Sequence, residues 1–335
     1  MVAELRKQNW PGVAELARKQ IALLPQLPDP YYNLGCALAR QNKSAESLTA
    51  LSQAIDHGYN DPAHMKVDDD LASLKEDPAF LALIKRAREA EINAPYEKGA
   101  EIAGIRSIEA APEGALRYRL RVGEEVKPEK PAKLIIWLHP SGGSMNNVVE
   151  ALSPMLAKQN YALLVVTRKQ FVGWTTDEVD RLLGPTLADV ATHKEIDAAK
   201  PILMGFSAGG QAALQAWEKA PDKFAGLILD AAYPIDTAQY ARGRIAVMTP
   251  PKVDGIKNTP IISFVGGDDT GGATWLAAKP KWLEAGIPLS TRIVPGKGHA
   301  WLIDGPRVKD LTTWLEAIAA GKKPHDFKPL PPNAL

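Results

Sequence analysis

The chain has little cysteine, little net charge and no long apolar run. Cys36 is the only cysteine among 335 residues, which excludes an intramolecular disulfide and any cluster of cysteine ligands around a metal ion. The formal net charge of +1 creates no field that would attract nucleic acid or an anionic membrane surface. No apolar stretch approaches the ~20 residues of a membrane-spanning helix. We therefore expect neither a nucleic-acid partner nor a membrane span.

The composition nonetheless predicts a globular protein. Hydrophobic residues make up 45% and charged residues 24% of the chain, values typical of chains that bury a core rather than stay disordered. The chain is long enough for two domains. Its residue pattern changes near residue 92, which predicts a division into segments 1–92 and 93–335.

Residues 1–7 do not predict a signal peptide, because they lack its apolar core. On this ground the visible sequence predicts a cytoplasmic protein. The helical register, however, places residues 1–7 in the last half of a truncated helix. We therefore expect the natural product to begin upstream, and the protein to be exported if a leader was removed there.

Segment 1–92 is predicted to be helical. Apolar residues recur there at steps of three and four, as on one face of an amphipathic helix. Small residues at several positions would let neighbouring helices approach closely. A proline, an aromatic residue, a leucine, a glycine and an alanine stand at Pro25, Tyr31, Leu34, Gly35 and Ala54. This spacing resembles a tetratricopeptide repeat.

The role of this helical segment has two interpretations. A single repeat must bury its apolar face against a neighbour. The segment either docks on the second domain or binds a protein partner. The sequence leaves both interpretations open.

Segment 93–335 is predicted to be an α/β domain. Two alternating runs, 102–108 and 116–122, flank a Pro-Glu-Gly turn and predict a β-hairpin. Short apolar runs then alternate with helical patterns, which indicates a mainly parallel sheet covered by helices on both faces. The expected strands are 134–138, 161–166, 201–205, 225–229, 261–265 and 289–294, and the expected helices are 148–158, 177–191, 208–219, 275–285 and 308–320.

The sequence Gly-Phe-Ser-Ala-Gly at 205–209 has the pattern of a nucleophile elbow. An apolar strand run precedes it and a helical pattern follows it, which is the strand–turn–helix setting that the motif requires. A serine on so tight a turn needs neighbours with small side chains or none. Gly205, Ala208 and Gly209 meet that need, so Ser207 is the candidate nucleophile.

A serine hydroxyl becomes a strong nucleophile only when a base takes its proton. His299 is the candidate base. It follows the last predicted strand in a loop whose glycines would let the imidazole swing over the edge of the sheet. Four other histidines fit less well, since they lie in the helical segment, at a helix end or in the proline-rich tail: His57, His64, His193 and His325.

The acid that orients the base should follow the strand before it. The turn at 266–272 contains two carboxylates, Asp268 and Asp269. We favour Asp269, because a glycine three residues ahead of the acid is the usual shape of this turn among serine hydrolases. Asp268 would then face solvent or cap a helix. Asp268 and Asp230 remain alternatives for the acid.

A developing oxyanion needs two backbone N–H donors. Ala208, next to the candidate nucleophile, would supply one. The other is expected from the loop that follows the first central strand, where Pro140 has no N–H. The second donor is therefore Ser141 or Gly142. His139 is expected to anchor this loop by hydrogen bonding rather than to take protons.

Three features bear on the substrate pocket. Trp174 and Trp301 lie in loops that follow predicted strands, and each belongs either to the core or to the pocket. Together they suggest an aromatic wall for an acyl or aryl group. The stretch 234–258 lacks the strand–helix rhythm and is predicted to be an insertion, whose position suggests a lid.

From about residue 102 onwards the chain resembles the esterase group of the α/β-hydrolases. The elbow, the acid turn and the Gly-Lys-Gly-His loop occur in the order Ser207, Asp269, His299, which this fold uses. The nearest types are dienelactone-hydrolase-like, polyhydroxybutyrate-depolymerase-like and feruloyl-esterase-like proteins. The loop after Leu138 has the position expected for the oxyanion loop of these proteins but departs from their pattern, because it has His139-Pro140 where a His-Gly pair is usual. The resemblance implies hydrolysis of a small-molecule ester through an acyl-enzyme, without a cofactor or metal, and it does not imply which ester.

Two other functions stay open. A peptidase of the same fold could use the same three residues, since amide and ester chemistry share the acyl-enzyme, but it would need a recognition site for a peptide. The chain could also be an interaction protein whose hydrolase domain is idle. The presence of all three candidate residues argues against the second alternative.

Overall fold

Contacts within the chain divide this computed structural model into two units, residues 1–95 and 96–335. The expected truncated helix at 1–7 lies largely outside the described residues, and a helical role for it stays a prediction. The structure describes residues 4, 7–94, 96–167, 174–236, 246–324 and 326–327.

Helices form the described part of the first unit. They are α1 (Trp10–Leu23), α2 (Pro28–Ala39), α3 (Ser44–Asp56), α4 (Pro62–Val67) and α5 (Pro78–Asn93), with a 3-10 helix at Asp69–Leu74. α2 and α3 approach closely at Gly35, where an added Cβ would lie 2.7 Å from the side chain of Leu51. Ser47 donates a hydrogen bond of 2.7 Å to the carbonyl of Gly35. The helical segment is thus confirmed, and its resemblance to a tetratricopeptide repeat stays a prediction.

Within the described residues, an eight-stranded sheet forms the centre of the second unit. The strands are β1 (Ile105–Ala110), β2 (Tyr118–Gly123), β3 (Ala132–Leu138), β4 (Tyr161–Val166), β5 (Ile196–Phe206), β6 (Gly226–Asp230), β7 (Ile261–Gly266) and β8 (Leu289–Val294). They lie in the order β1-β2-β4-β3-β5-β6-β7-β8. β2 pairs antiparallel with β1 and β4, and the other pairs are parallel. The predicted hairpin and mainly parallel sheet are confirmed.

Side chains of the central strands alternate between two cores, because successive residues of a strand point to opposite faces. Leu134 and Ile136 of β3 belong to the core that contains Trp217. Ile135 and Trp137 belong to the core on the other face. Burial on both faces explains why these strands appear in the sequence as continuous apolar runs.

Helices cover both faces of this sheet. They are α6 (Asn146–Glu150), α7 (Ser153–Lys158), α8 (Thr176–Arg181), α9 (Leu187–Val190), α10 (Ala208–Lys219), α11 (Thr270–Glu284) and α12 (Pro306–Ala319), with a π-helical turn at Leu182–Thr186 and 3-10 helices at Pro221–Lys223 and Ile256–Asn258. In the described part of the chain, no helix has the length and apolar character needed to cross a membrane.

Prolines affect two helices that the sequence predicts as continuous, 148–158 and 177–191. A proline inside a helix removes a hydrogen bond and clashes with the carbonyl four residues earlier, whereas the first turn tolerates it. The first stretch is accordingly split, and Pro154 lies in the first turn of α7. The second stretch stays helical from residue 176 to residue 190, and Pro185 lies in the π-helical turn that joins α8 to α9.

A buried ionic group ties the antiparallel part of the sheet to α6. Arg119 and Arg121 lie two residues apart on β2 and so share one face. Glu150 accepts 2.8 Å and 2.7 Å hydrogen bonds from Arg119 Nε and Arg121 Nη2. The side chains of all three residues are at most 4% exposed. Glu109, which is 34% exposed, also lies 3.3 Å from Nη1 of Arg119. Glu150 is therefore the buried carboxylate that the two guanidinium groups share.

We expect Glu150→Gln to lower the free energy of unfolding by about 3–5 kcal/mol, because it removes the buried carboxylate that both guanidinium groups share. Urea unfolding followed by tryptophan fluorescence measures this effect in the second unit, since Trp10 is the only one of the 8 tryptophans in residues 1–95. The matched control is Glu195→Gln, which removes a 3.6 Å ion pair with the partly exposed Arg106 and should lower the free energy by no more than about 1 kcal/mol. Equal effects of the two substitutions would contradict the prediction.

Candidate active site

The turn between β5 and α10 holds Ser207 in a strained backbone conformation. Its φ of 52° and ψ of −118° are rare for a residue with a side chain, and such strain persists only where the surrounding structure enforces it. An added Cβ at Gly205 would collide with the backbone of Gly209, and one at Gly209 with the carbonyl of Leu138. Glycine is thus required at both positions, as an elbow requires.

Ser207, His299 and Asp269 form a continuous series of hydrogen-bond distances. Nε2 of His299 lies 2.9 Å from Oγ of Ser207, and Nδ1 lies 2.8 Å from Oδ2 of Asp269. The imidazole is 44% exposed and the carboxylate 6% exposed. The ring therefore faces the solvent-accessible side of the site, while its carboxylate partner is shielded. A base held in this way can take a proton from the serine hydroxyl.

The acid turn packs directly against the histidine loop. A Cβ at Gly266 would collide with the backbone of Lys297 and Gly298. Main-chain hydrogen bonds of 2.8 Å and 2.9 Å join the N–H groups of residues 267 and 268 to the carbonyls of residues 294 and 297. Asp269 also begins α11 as its N-cap. Of the two carboxylates in this turn, Asp269 thus meets His299, and Asp268 is exposed.

Asp230, the other alternative for the acid, holds the loop beyond the histidine instead. It ends β6 and is fully buried, and its Oδ2 accepts a 2.9 Å hydrogen bond from the N–H of Leu302. Burial raises the pKa of Asp230 to about 8. Its position at a strand end was visible in the sequence, but no local pattern predicted that it would bind a backbone N–H more than seventy residues away.

The raised pKa of Asp230 makes a pH-dependent contribution to stability. An unfolded aspartate has a pKa of about 4, so between about pH 4 and about pH 8 the native state holds a proton that the unfolded state has lost. Stability therefore falls as the pH rises through this window. We expect Asp230→Asn to remove this pH-dependent contribution. The free energy of unfolding of the variant, relative to that of wild type, should therefore be higher at about pH 8 than at about pH 5. Urea unfolding at the two pH values measures it.

Asp268→Asn, which removes an exposed carboxylate close to the same site, is the control for that measurement. Its free energy of unfolding should keep a constant difference from wild type across the two pH values. A constant difference for Asp230→Asn as well would show that its protonation does not change on folding.

The loop after β3 lies beside Ser207. Gly142 has a φ of 84°, in the region that favours glycine. Nε1 of Trp174 donates a 2.9 Å hydrogen bond to the carbonyl of His139, and the two rings stack with centroids 4.5 Å apart. Nδ1 of His139 lies 2.7 Å from the carbonyl of Pro140. The tryptophan therefore helps to hold this loop, a contact that sequence reasoning did not foresee.

A cavity of about 490 Å³ opens at Ser207. Two of the candidate oxyanion residues, Ala208 and Ser141, belong to its wall, as does Trp174. Ile235, in the expected insertion 234–258, also belongs to it. The lining residues are Ser141, Trp174, Ser207, Ala208, Gln211, Ala212, Gln215, Ala231, Tyr233, Ile235 and His299.

Trp301 lies apart from this wall. Its ring meets the edge of Trp137 with centroids 5.8 Å apart, and its Nε1 donates to the carbonyl of Ile303. Of the two predicted pocket tryptophans, the structure thus brings Trp174 to the cavity and packs Trp301 on the core. Residues 237–245 of the expected lid lie outside the described residues, so the lid stays a prediction.

Solved structures of esterases resemble this chain in fold. A ferulic acid esterase matches with a TM-score of 0.50 at 14% identity, over 64% of this chain and 97% of the esterase. A truncated carbohydrate esterase from gut microbiota matches with a TM-score of 0.49 at 17% identity, over 67% and 100%. An S-formylglutathione hydrolase from Agrobacterium tumefaciens matches with a TM-score of 0.46 at 13% identity, over 68% and 97%.

The second unit therefore has the α/β-hydrolase fold. The ferulic acid esterase match supports this together with the strand order and the strand–turn–helix geometry at Ser207. No protein-family model matches the chain, and no curated protein matches it in sequence. At identities this low, the likeness is one of fold.

Proposed function

We propose that this protein is a serine hydrolase that cleaves carboxylic esters through an acyl-enzyme intermediate. The observation that carries the proposal is the series of hydrogen-bond distances from Asp269 through His299 to Ser207 beside an open cavity. A base within reach of a serine, and itself oriented by a carboxylate, is the arrangement that activates a nucleophile. The strained turn at Ser207 and the α/β-hydrolase fold support it.

In the proposed reaction, Oγ of Ser207 forms a bond to the ester carbonyl carbon while Nε2 of His299 takes its proton. The bond to the alkoxide then breaks, and the imidazolium returns the proton so that an alcohol leaves. Water, deprotonated by His299, next attacks the acyl-enzyme; the bond to Oγ of Ser207 breaks, the imidazolium returns the proton to Oγ, and the carboxylic acid leaves. Asp269 accepts a hydrogen bond from Nδ1, which holds the ring in the tautomer whose Nε2 can accept a proton.

We assign the stabilisation of the oxyanion to the backbone N–H of Ala208 and to that of Ser141 or Gly142. Ala208 is the first residue of α10, and the N-terminal end of a helix favours negative charge. Ser141 lines the same cavity as Ser207, which supports a second donor from this loop. Preformed donors of this kind stabilise the tetrahedral intermediate without reorganising during the reaction.

The cavity at Ser207, of about 490 Å³, falls within the range of about 300–1,000 Å³ that is usual for small-molecule pockets. A peptidase of the same fold and an idle interaction protein are the alternatives that the experiment must separate. The helical unit as a binding surface for a protein partner stays a separate prediction.

We expect Ser207→Ala to lower kcat for p-nitrophenyl acetate by at least about a thousandfold, because the acyl-enzyme can no longer form. The same substitution should abolish labelling by a fluorophosphonate probe, which reacts with an activated serine. Labelling that persists in the variant would place the nucleophile elsewhere.

The same assay separates the alternatives. A wild-type protein that neither reacts with the probe nor hydrolyses the ester would be an idle hydrolase domain. Faster cleavage of aminoacyl-nitroanilides than of the ester would indicate a peptidase.

Neighbouring carboxylates provide a matched test of the acid. We expect Asp269→Asn to lower kcat by at least about a hundredfold, because an amide at this position favours the wrong tautomer of His299. Asp268→Asn, one residue away and exposed, should stay within about threefold of wild type, since surface substitutions away from such contacts have small effects. Steady-state kinetics on p-nitrophenyl acetate measures both. Similar losses in the two variants would contradict the assignment of Asp269.

A further inference from the structure

A second cavity, of about 580 Å³, adjoins the one at Ser207. We call it the distal trough; it is bounded mainly by α10 and by residues 174–187. Trp174, Ala212 and Gln215 line both cavities, so the two share a wall and follow one another along α10. Trp174, Ala212 and Gln215 therefore mark the boundary that a molecule bound at Ser207 would cross to enter the distal trough.

The distal trough runs lengthwise along α10. Ser207 is the N-cap of this helix, and residues three and four apart share one face of a helix. Ala212, Gln215, Ala216 and Lys219 therefore form a single stripe, and all four line the distal trough. At a rise of about 1.5 Å per residue, Lys219 lies about 18 Å along the axis from Ser207. This geometry suits an extended group rather than a compact one.

The lining of the distal trough combines apolar side chains with polar ones, among them Thr175, Thr176 and Gln215. Val179, Leu183 and Leu187 contribute to one side, and Ala216 contributes from α10. The three larger side chains are only partly buried, so apolar surface remains available to a ligand. Burying an aliphatic chain against it removes apolar area from water, which is the main favourable term in such binding.

Positive charge lies at the end of the distal trough farthest from Ser207. Lys219 is in the last turn of α10, and Lys223 follows in the next 3-10 helix. Both side chains are exposed. Asp180 is the one carboxylate among the lining residues of this cavity, so two cations stand against one anion. This excess favours a ligand whose far end is negatively charged.

The position of the base indicates which part of an ester enters the distal trough. His299 lines the cavity at Ser207 and is not among the residues that line the distal trough. In the proposed reaction the alkoxide must leave beside Nε2 of His299, which protonates it. The acyl group is therefore the part that extends along α10.

We propose that the distal trough binds the acyl chain of an ester of a long aliphatic acid whose far end carries a carboxylate. The inference rests on the proposed ester hydrolysis and specifies its substrate class. The chain packs along the apolar lining, and its terminal carboxylate meets Lys219 and Lys223 at the far end.

The test compares three sets of esters. The first two are p-nitrophenyl esters that differ only in the acyl group: one series runs from acetate to palmitate, and the second consists of half-esters of dicarboxylic acids of matching lengths. The third set consists of acetate esters of long hydroxy acids, which place the carboxylate on the alcohol side. Their hydrolysis is measured by the release of protons. For the wild-type protein, kcat/KM should rise with acyl length. The long half-ester should exceed the uncharged ester of equal length about threefold, as expected for exposed ion pairs.

Two variants address the two parts of the distal trough. Gly184 lines it, and an added Cβ there would meet no atom within 4 Å, so Gly184→Trp should fill it without strain at that position. The ratio of kcat/KM for long to short esters should fall at least about tenfold, since loss of apolar pocket space changes specificity by this amount. The double variant Lys219→Glu/Lys223→Glu should reverse the preference for the half-ester. Lys309→Glu, an exposed charge reversal on α12, should change neither ratio.

Each outcome decides one part of the inference. A length preference that persists in Gly184→Trp, or is absent from wild type, overturns the distal trough as the acyl site. An unchanged charge preference in the double variant overturns the cationic end, and a preference for charge on the alcohol overturns the acyl assignment. If hydrolysis of the acetate ester depends on Ser207 but kcat/KM does not change with acyl length or charge, this inference is wrong and the proposed function stands. If hydrolysis of the acetate ester persists in Ser207→Ala, the proposed function is itself wrong.

Discussion

Gly209 packs so closely against the end of β3 that a Cβ there would collide with the carbonyl of Leu138. This contact brings three parts of the site together. It fixes the start of α10, it holds the turn on which Ser207 is strained, and it places the loop after β3 beside that serine. A wider approach would leave the serine at the same sheet edge but separate it from the loop. The proposed chemistry depends on that distance, because oxyanion donors act only at hydrogen-bond range.

α10 connects the chemistry to the proposed specificity. Its first turn follows the serine and supplies the backbone N–H of Ala208, while its flank forms a wall of both cavities. One helix therefore borders both the candidate nucleophile and the proposed acyl site. Positioning on a helix is more precise than positioning on loops. In the proposed function, the direction of a bound acyl group depends on α10 together with residues 174–187, which also bound the distal trough.

The sequence predicted the parts of the fold and site that have local signals. Ser207, Asp269 and His299 each follow a strand run, and the structure brings them within hydrogen-bond distance. The mainly parallel sheet was predictable because strands buried on both faces appear as apolar runs, and the structure confirms it. The split in the predicted helix 148–158 was predictable from Pro154, since a helix tolerates proline in its first turn but not in its interior. Two features were not predictable, since each joins segments far apart in the sequence. They are the contact between Asp230 and the histidine loop, and the distal trough.

The hydrogen bonds between the acid turn and the histidine loop also bear on the tautomer of the ring. They join the backbone next to Asp269 to the backbone next to His299. The turn of Ser207 is tied to the same loop from its other side, because the N–H of Ser207 donates a 3.0 Å hydrogen bond to the carbonyl of Asp230, and the Asp230 side chain binds the N–H of Leu302. The three candidate residues therefore share one hydrogen-bonded backbone framework. In the proposed reaction, a ring held in this framework keeps one tautomer while it serves the serine, the departing alcohol and an incoming water in turn.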